Sequence, residues 1–600
     1  MNKLNYPNPI FIRTNTNVIN DGWYFSFDNK EYKNINVPFC PESKLSGIGH
    51  TDFIYHCFYK KVLMVKELKN ETVIHFGAVD YRSTLYVNGK YVGSHVGGFT
   101  PFEFNITKYL QAGKNELLLE VFDNEQRNSP TGKQSHKRES FGCFYTRATG
   151  IWQNVWLENR PSEYIKSIKI TPSLKNKTVA IEVITNGEGP LNIDIYYKDK
   201  LLNTLNKEIS FKTTDVICLE EIHKWDIGIG ELYDVKINFK DDIVYTYFGL
   251  RDVEYRGFDF YLNDKKVFQK LVLDQGYYPD GIYTAKDVKE LENDIDIALD
   301  LGFNGARLHQ KVFDPRFLYL ADIKGYLVWG EYPSWGVDYS NLSFVGRYLQ
   351  EWEEAVERDY SHPSIITWCP LNEVWGTWEN NKEKRDVRFI ELVYEFTKKI
   401  DPTRPCVDVS GGHHCATTDI FDFHCYENLQ SIKKYLDEIE FDGKMAIPLL
   451  YTEGENIKYN DGTPINFSEF GGIKFALTKD NNVGSINAGP VESTSDWGYG
   501  EGETDSEAFI KRYEELVTLI YKYRKISGFC YTQLYDVEQE CNGFYTYDRK
   551  PKLTKEQIER IKNINNIKSW CIFLVFNKLI GYNYCKYEQK KLFLRIRKRR

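Results

Sequence analysis

Two glutamates stand where side-chain type and setting point to catalysis. In PINFSEFGG (464–472) Glu469 closes an apolar run and precedes a Phe and two glycines, residues that let backbone and a bound ligand come close together. In SIITWCPLNEVWG (364–376) Glu373 ends a second apolar run and follows Asn372. Two carboxylates about 5–5.5 Å apart are what cleavage of a glycosidic bond with retention requires. One attacks the anomeric carbon; the other protonates the departing oxygen and then activates water. An acid that holds its proton near neutral pH needs desolvated surroundings. Glu373 is bracketed in sequence by Trp368 and Trp375, whereas Glu469 precedes glycines that leave it open to attack a sugar. The expectation is therefore Glu373 as acid/base and Glu469 as nucleophile. Asn372 can bond a sugar 2-hydroxyl, or it can be a turn-forming Asn.

Both acids need a scaffold that brings them to one mouth. From about residue 260, apolar runs of strand length alternate with stretches of helical period. The runs are VFQKLVLD (267–274), FNGARLHQ (303–310), GYLVWGEYP (325–333), SIITWCPLNE (364–373), CVDVSG (406–411), IFDFHCY (420–426), INFSEFGG (465–472) and ISGFCYTQLYD (526–536). Eight β/α units over residues 254–565 predict a TIM barrel, with Glu373 and Glu469 at the C-terminal ends of the fourth and seventh strands. Residues 1–160 read as a β-sandwich of jelly-roll type, in which NGK between STLYV and YVGSHV signals a tight hairpin. Residues 161–253 repeat the alternating pattern at a length suited to an immunoglobulin-like β-sandwich. The chain is thus expected to be multi-domain, since 600 residues exceed what one core supports.

The bulk composition narrows the partners. A net charge of -8 gives no reason to expect nucleic acid. Aromatic content of 15% suits stacking against sugar faces, and equally suits β-rich cores. MNKLNYPNPIFIRTN lacks the apolar run of a secretory signal, and no stretch reaches the ~18 apolar residues of a membrane span, so a cytoplasmic location is expected. The 12 cysteines include no CxxC pair, and neither GGHHC nor FHCY matches a zinc pattern, so no metal or other cofactor is expected. Residues 566–600 form a short apolar stretch ending in a dense basic run.

With these residues in view, the chain resembles family two of the glycoside hydrolases, the group of β-galactosidases, β-glucuronidases and β-mannosidases. ATGIWQNVWLE (148–158) is similar to the signature closing that family's sugar-binding sandwich, YFGLRDVE (247–254) to its junction into the barrel, and HPSIITWCPLNE to its acid/base motif. The resemblance implies that Asn372 and Glu373 are the family's Asn-Glu pair, Glu469 its nucleophile, and Arg307 an arginine that orients the nucleophile. Departures fall where the sugar is read. VLDQGYYPDG puts Asp274 and Gln275 in place of a His and Glu, and EQECNGF puts Glu540 and Asn542 where β-glucuronidases carry Asn-x-Lys. A second acid facing a uronate repels it. Asp274, Asp536 and Glu538 are expected to make the rim acidic and suited to a neutral sugar. His424 and Tyr426, ending the sixth strand, can contact the sugar or the nucleophile, or His424 can be a satisfied structural residue. Trp335, Trp375 and Trp378 are candidates for a stacking platform. Glu331 matches a magnesium-binding position of some β-galactosidases, but no accompanying His ligand is evident in the sequence.

The resemblance thus implies an exo-acting retaining β-glycosidase acting on a glycoside or oligosaccharide with a terminal neutral sugar, β-galactosidase-like, and possible homo-oligomer formation. Another glycone such as a glucuronide, and a carbohydrate-binding protein without turnover, remain open. The second has no need of a paired acid and nucleophile.

Overall fold

The structure, a computed structural model, describes residues 2–68, 71–123, 128–374, 377–379, 382–384, 386–415, 417–443, 462–475, 496–499, 502 and 505–567. The side chains of 377–379 and 382–384 are outside that description, as are Trp375 and residues 568–600 of the basic tail.

The N-terminal unit packs two antiparallel sheets face to face. One has the order Thr16–Val18, Val155–Arg160, Glu71–Phe76, Phe102–Asn105; the other has Lys33–Ile35, Trp23–Ser26, His56–Val65, Gly113–Phe122, Arg82–Val87, Lys90–Val96. Alternation dictates the layering: along Gly113–Phe122, Leu117, Leu119 and Val121 are fully buried while their neighbours are only partly covered. The NGK signal becomes the turn between Arg82–Val87 and Lys90–Val96, with Asn88 at φ 51° and Gly89 at φ 73°. Two left-handed residues in a row form the tight turn that matches strand twist.

The second unit is a five-stranded antiparallel sheet built on two long strands, Thr178–Tyr197 and Lys200–Cys218, whose pairing is interrupted between Ile184 and Glu188. Its core is aliphatic, with Ile165, Val179, Ile181, Val183, Ile193 and Ile237 all buried.

The third unit is the TIM barrel. Seven parallel strands run in the order Ile365–Cys369, Leu327–Glu331, Gly305–Leu308, Gln269–Asp274, Ile526–Thr532, Ile465–Gly471, Phe421–Cys425. Most are buried along their whole length, as strands covered on both faces must be. The expected strand at 406–411 is reduced to parallel bridges of Cys406 to Trp368 and Ser410 to Asn372. Side chains take the donors a regular ladder would use: Asp419 accepts from Cys406 N at 2.9 Å, and Thr418 Oγ1 accepts from Asp408 N at 3.3 Å. Helices Val288–Asp300 and Ser506–Ile520 begin on the capping aspartates Asp287 and Asp505. A meander of Val253–Arg256, Asp259–Leu262 and Lys265–Val267 carries Phe260 and Leu262 into one cluster with Leu271, Leu273 and Trp329 of the barrel strands.

The sandwich reaches over the barrel mouth. Thr131 N donates to Trp335 O at 2.8 Å, Gln539 Nε2 to Gly142 O at 2.6 Å, and Trp497 Nε1 also donates to Gly142 O. Among the described residues no helix is long and apolar enough to cross a membrane.

Candidate active site

Arg307, at 0% exposure, organises the mouth. Its Nε donates to Glu331 Oε1 (2.6 Å), Nη2 to Asn372 Oδ1 (3.0 Å), and Nη1 to Ser468 O (2.7 Å) and Glu469 Oε1 (3.1 Å). A buried guanidinium is tolerable only when such partners saturate it. Asn372 thereby has its oxygen committed, and among the described residues its Nδ2 is a buried donor without a partner. Glu331 does have a histidine beside it: His309 Nδ1 lies 3.0 Å from Oε2, which also accepts from Gln310 N at 3.3 Å. One Glu331 oxygen is therefore given to Arg307 and the other to His309 and Gln310. Burial raises the Glu331 carboxyl above its usual value even against the pull of Arg307, and burial together with the Lys133 charge holds His309 well below the usual histidine value.

Glu469 sits near the end of Ile465–Gly471. Tyr426 donates its hydroxyl to Glu469 Oε2 at 2.5 Å and lies 3.0 Å from Thr532 Oγ1. The two glycines after Glu469 are required by space as well as by φ. Gly471 (φ 85°) and Gly472 (φ 55°) are left-handed, and a Cβ would fall 2.3 Å from Tyr531 and 2.3 Å from Tyr499 respectively. Tyr499 stacks on Tyr426 with ring centroids 3.6 Å apart, so the glycines let two tyrosines wall Glu469.

Glu373 adopts φ 42°, the left-handed conformation that a residue other than glycine holds only under constraint. Its N–H donates to Ser410 O at 2.8 Å, and Gly412 packs against its Cα. Glu373 Oε1 lies 2.6 Å from His424 Nδ1, and Glu469 Oε2 lies 3.4 Å from the same nitrogen. Arg307 Nη1, which can only donate, is 3.3 Å from His424 Nε2. Ser410 Oγ lies nearer to Nε2, at 3.1 Å, and Nδ1 carries a proton toward Glu373.

The surroundings of Glu373 are polar and charged, unlike the desolvated pocket expected of it. Burial pushes the Glu373 carboxyl up, but the His424 hydrogen bond and the His424, Lys133 and Arg307 charges outweigh it, and Glu373 lies below its usual value in the free protein. The expected tryptophan bracket is absent on the Trp368 side, because strand side chains alternate faces. Trp368 points outward, donating to Asp401 Oδ2 at 2.8 Å and packing on Trp352. Trp375 lies outside the described residues.

Carboxylate oxygens of Glu373 and Glu469 and a ring nitrogen of His424 all lie within 4.8 Å of one another. That spacing lies on the side of the shorter of the two carboxyl separations that glycosidases use, the one for direct attack by a carboxylate. The same three groups would also fit a cation.

The three acids expected to form an open rim have internal partners instead. Asp274, 1% exposed, accepts from Tyr535 OH (2.5 Å) and Gly276 N (2.9 Å), and burial pushes it up to about 6. Asp536 pairs with Lys552 Nζ at 2.6 Å and is likewise raised to about 6 by burial. Glu538 accepts from Thr146 N at 3.1 Å. These acids tie the segment after Ile526–Thr532 to itself and to the sandwich. A further buried acid near Glu373 and Glu469 is Glu540, which accepts from Tyr145 OH and, at 2.9 Å, from Asn542 Nδ2. Gln275 Nε2 extends this chain to Tyr145 OH (3.2 Å) and Gln533 Oε1 (3.0 Å). Trp335 donates to Asn372 O at 3.1 Å, and Lys133 from the sandwich holds its ammonium 3.9 Å from the Trp335 ring centroid. Of the stacking candidates Trp335 is thus at the site, and the Trp378 side chain is outside the described residues. Sequence reasoning missed His309, Tyr145 and Lys133. The first is silent until its partner is known, and the others belong to a different domain.

Three family models match the chain in register with these units: the glycosyl hydrolases family 2 sugar binding domain over residues 12–161, glycosyl hydrolases family 2 over 163–251, and the family 2 TIM barrel domain over 257–463. Among curated relatives, a β-galactosidase of Thermoanaerobacterium thermosulfurigenes is 27% identical over 476 residues, 72% of this chain and 64% of that protein. A β-glucuronidase of Streptococcus agalactiae is 26% identical over 397 residues, 59% of this chain and 63% of that protein. The chain thus spans less than two thirds of the length of these relatives. Among solved structures, a β-glucuronidase of Faecalibacterium prausnitzii superposes with a TM-score of 0.74 at 20% identity, covering 94% of this chain and 99% of that one. One of Ruminococcus gnavus in complex with D-glucuronic acid gives 0.71 at 18% identity, covering 92% and 98%. At these identities the likeness concerns the fold.

Proposed function

Since this chain belongs to glycosyl hydrolase family 2, we propose that it hydrolyses terminal neutral β-linked sugars with retention, in the manner of a β-galactosidase. The observation that carries this reading is the pair of carboxylates within 4.8 Å, one fixed by Arg307 and Tyr426, the other by His424. Glu469 attacks the anomeric carbon. Glu373 protonates the departing oxygen, and afterwards takes a proton from the water that releases the sugar. The low Glu373 value of the free protein suits the second half of that cycle. The first half requires the sugar to part Glu373 from His424, so that burial and the Glu469 charge favour the protonated acid. The free Nδ2 of Asn372 supplies a donor for the 2-hydroxyl, a contact that strengthens as positive charge develops on the ring.

Relatives named as β-glucuronidases favour a second reading, a uronide glycone. Glu540 and Asn542 weigh against it, because the resemblance implies that a uronate would meet the buried Glu540 carboxylate there. The test is release of nitrophenol from β-galactoside, glucoside, mannoside, fucoside and glucuronide, with wild type beside Glu469→Gln. Cleavage of one neutral glycoside, lost in the variant, supports the reading. Sugar binding without turnover by the wild type would contradict it.

A further inference from the structure

Lys133 enters the chemistry above only through its charge, yet it is 6% exposed and carries that charge into the mouth of another domain. Its backbone is clamped: Lys133 O accepts from Tyr145 N at 2.8 Å, while Thr131 N and Gly132 N both donate to Trp335 O, at 2.8 and 3.2 Å. A Cβ on Gly132 (φ 59°) would lie 2.4 Å from Gln310 O, so the loop meets the barrel with no space to spare. The ammonium is placed over Trp335, whose indole bonds the carbonyl of Asn372 beside the acid. Among the described residues no hydrogen-bond acceptor serves Nζ and no carboxylate oxygen lies within 4.0 Å of it. Burial lowers the Lys133 pKa, but Cys143, Glu540, Glu373 and Glu469 outweigh it. The Lys133 side chain is buried along its length but its ammonium reaches the open mouth, near carboxylates that it does not touch, so the space between them is available to a ligand.

Resting on the glycosidase reading, we propose that Lys133 and Glu540 bracket a hydroxyl of the neutral glycone, Lys133 donating to its oxygen and Glu540 accepting its proton, so that the sugar is read across two domains. The chemistry selects the group. A hydroxyl both accepts and donates, whereas a carboxylate or sulfate only accepts and would meet Glu540, Glu373 and Glu469 as like charges. Glu540 has a lone pair to spare on each oxygen, since Tyr145 and Asn542 take one contact each.

The experiment compares wild type with Lys133→Met, which keeps the length and removes the charge, and with Lys133→Arg. The substrates are p-nitrophenyl β-galactoside, its 3-, 4- and 6-deoxy forms, and the β-glucuronide. Loss of a charge-assisted hydrogen bond lowers kcat/KM of Lys133→Met on the neutral glycoside by about 10–100-fold, with Lys133→Arg between the two. On one deoxy form the gap between wild type and Lys133→Met closes to within about twofold, which a merely structural loss would not do. A Lys133→Met enzyme unchanged on the neutral glycoside, equally impaired on every deoxy form, or impaired only on the glucuronide overturns the proposal. Should the wild type turn over none of the panel, the glycosidase reading fails separately. Calorimetric binding of galactose, glucose and mannose to the wild type and Lys133→Met then decides: binding weakened about 10-fold or more in the variant supports the bracket, and equal or absent binding overturns it.

Discussion

Replacing Tyr426 by Phe removes one hydroxyl from Glu469, the proposed nucleophile, and leaves the rest of its wall in place. The ring still stacks on Tyr499 at 3.6 Å, and Glu469 keeps its contacts with Arg307. The lost bond runs from a buried hydroxyl to a carboxylate oxygen at 2.5 Å. A hydrogen bond to a charged group contributes about 1.5–3 kcal/mol, a factor of roughly 10–150 in rate if all of it is felt in one step. Which step feels it follows from where the charge lies. When Glu469 attacks, its charge is consumed and the Tyr426 bond weakens. When water releases the sugar, the carboxylate re-forms its charge and the bond strengthens in that transition state. Tyr426→Phe should therefore slow release of the glycosyl-enzyme more than its formation. In stopped-flow assays with a nitrophenyl glycoside the variant shows a burst of nitrophenol followed by a steady rate lowered about 10–150-fold, and KM falls together with kcat. Unchanged kcat, or a loss confined to kcat/KM with no burst, would refute this assignment of Tyr426.

Other consequences follow from the same contacts. A Cβ on Gly411 (φ 65°) would lie 2.1 Å from the His424 ring, so Gly411→Ala must displace His424 from Glu373; kcat/KM should fall at least 100-fold with a stability loss of about 1–3 kcal/mol, and wild-type kinetics would exclude His424 as the group holding the acid. Glu351 joins the sandwich to the barrel, accepting from Tyr81 OH at 2.6 Å and Tyr332 OH at 2.7 Å, and burial raises it from 4.5 to about 7. The folded protein then keeps a proton that the unfolded chain has lost, so stability falls as pH rises from 4.5 to 7 and is flat above. Glu351→Gln should remove about 3 kcal/mol of that dependence in urea titrations at pH 5 and pH 8, and an unaltered slope would show that Glu351 does not carry it.

Much of the barrel was legible because strands buried on both faces must be continuous apolar runs, and strand ends then locate Glu373 and Glu469 without any contact being known. What escaped depended on partners. The run at 406–411 looks like its neighbours, but Asp419 and Thr418 take its amide donors and break the ladder into bridges. Trp368 is close to Glu373 in sequence yet points to the helix layer, since alternation along a strand sends neighbouring side chains to opposite faces. Asp536 and Glu538 look like loop acids until the segment folds back and hands them Lys552 and Thr146. Lys133 and Tyr145 sit beside a motif that reads as a sandwich closure, and only the docking of two domains brings them to Trp335 and Glu540.

The decisive observation is a covalent one. Incubation with a 2-deoxy-2-fluoro β-glycoside bearing a good leaving group slows both steps but spares formation of the intermediate, and peptide mass spectrometry then locates the sugar. A single fluoroglycosyl adduct on the peptide containing Glu469, absent in Glu469→Gln and slow to turn over in Tyr426→Phe, is the expected result. An adduct on Glu373, or inversion at the anomeric carbon with no adduct at all, would contradict the double displacement built on these two glutamates.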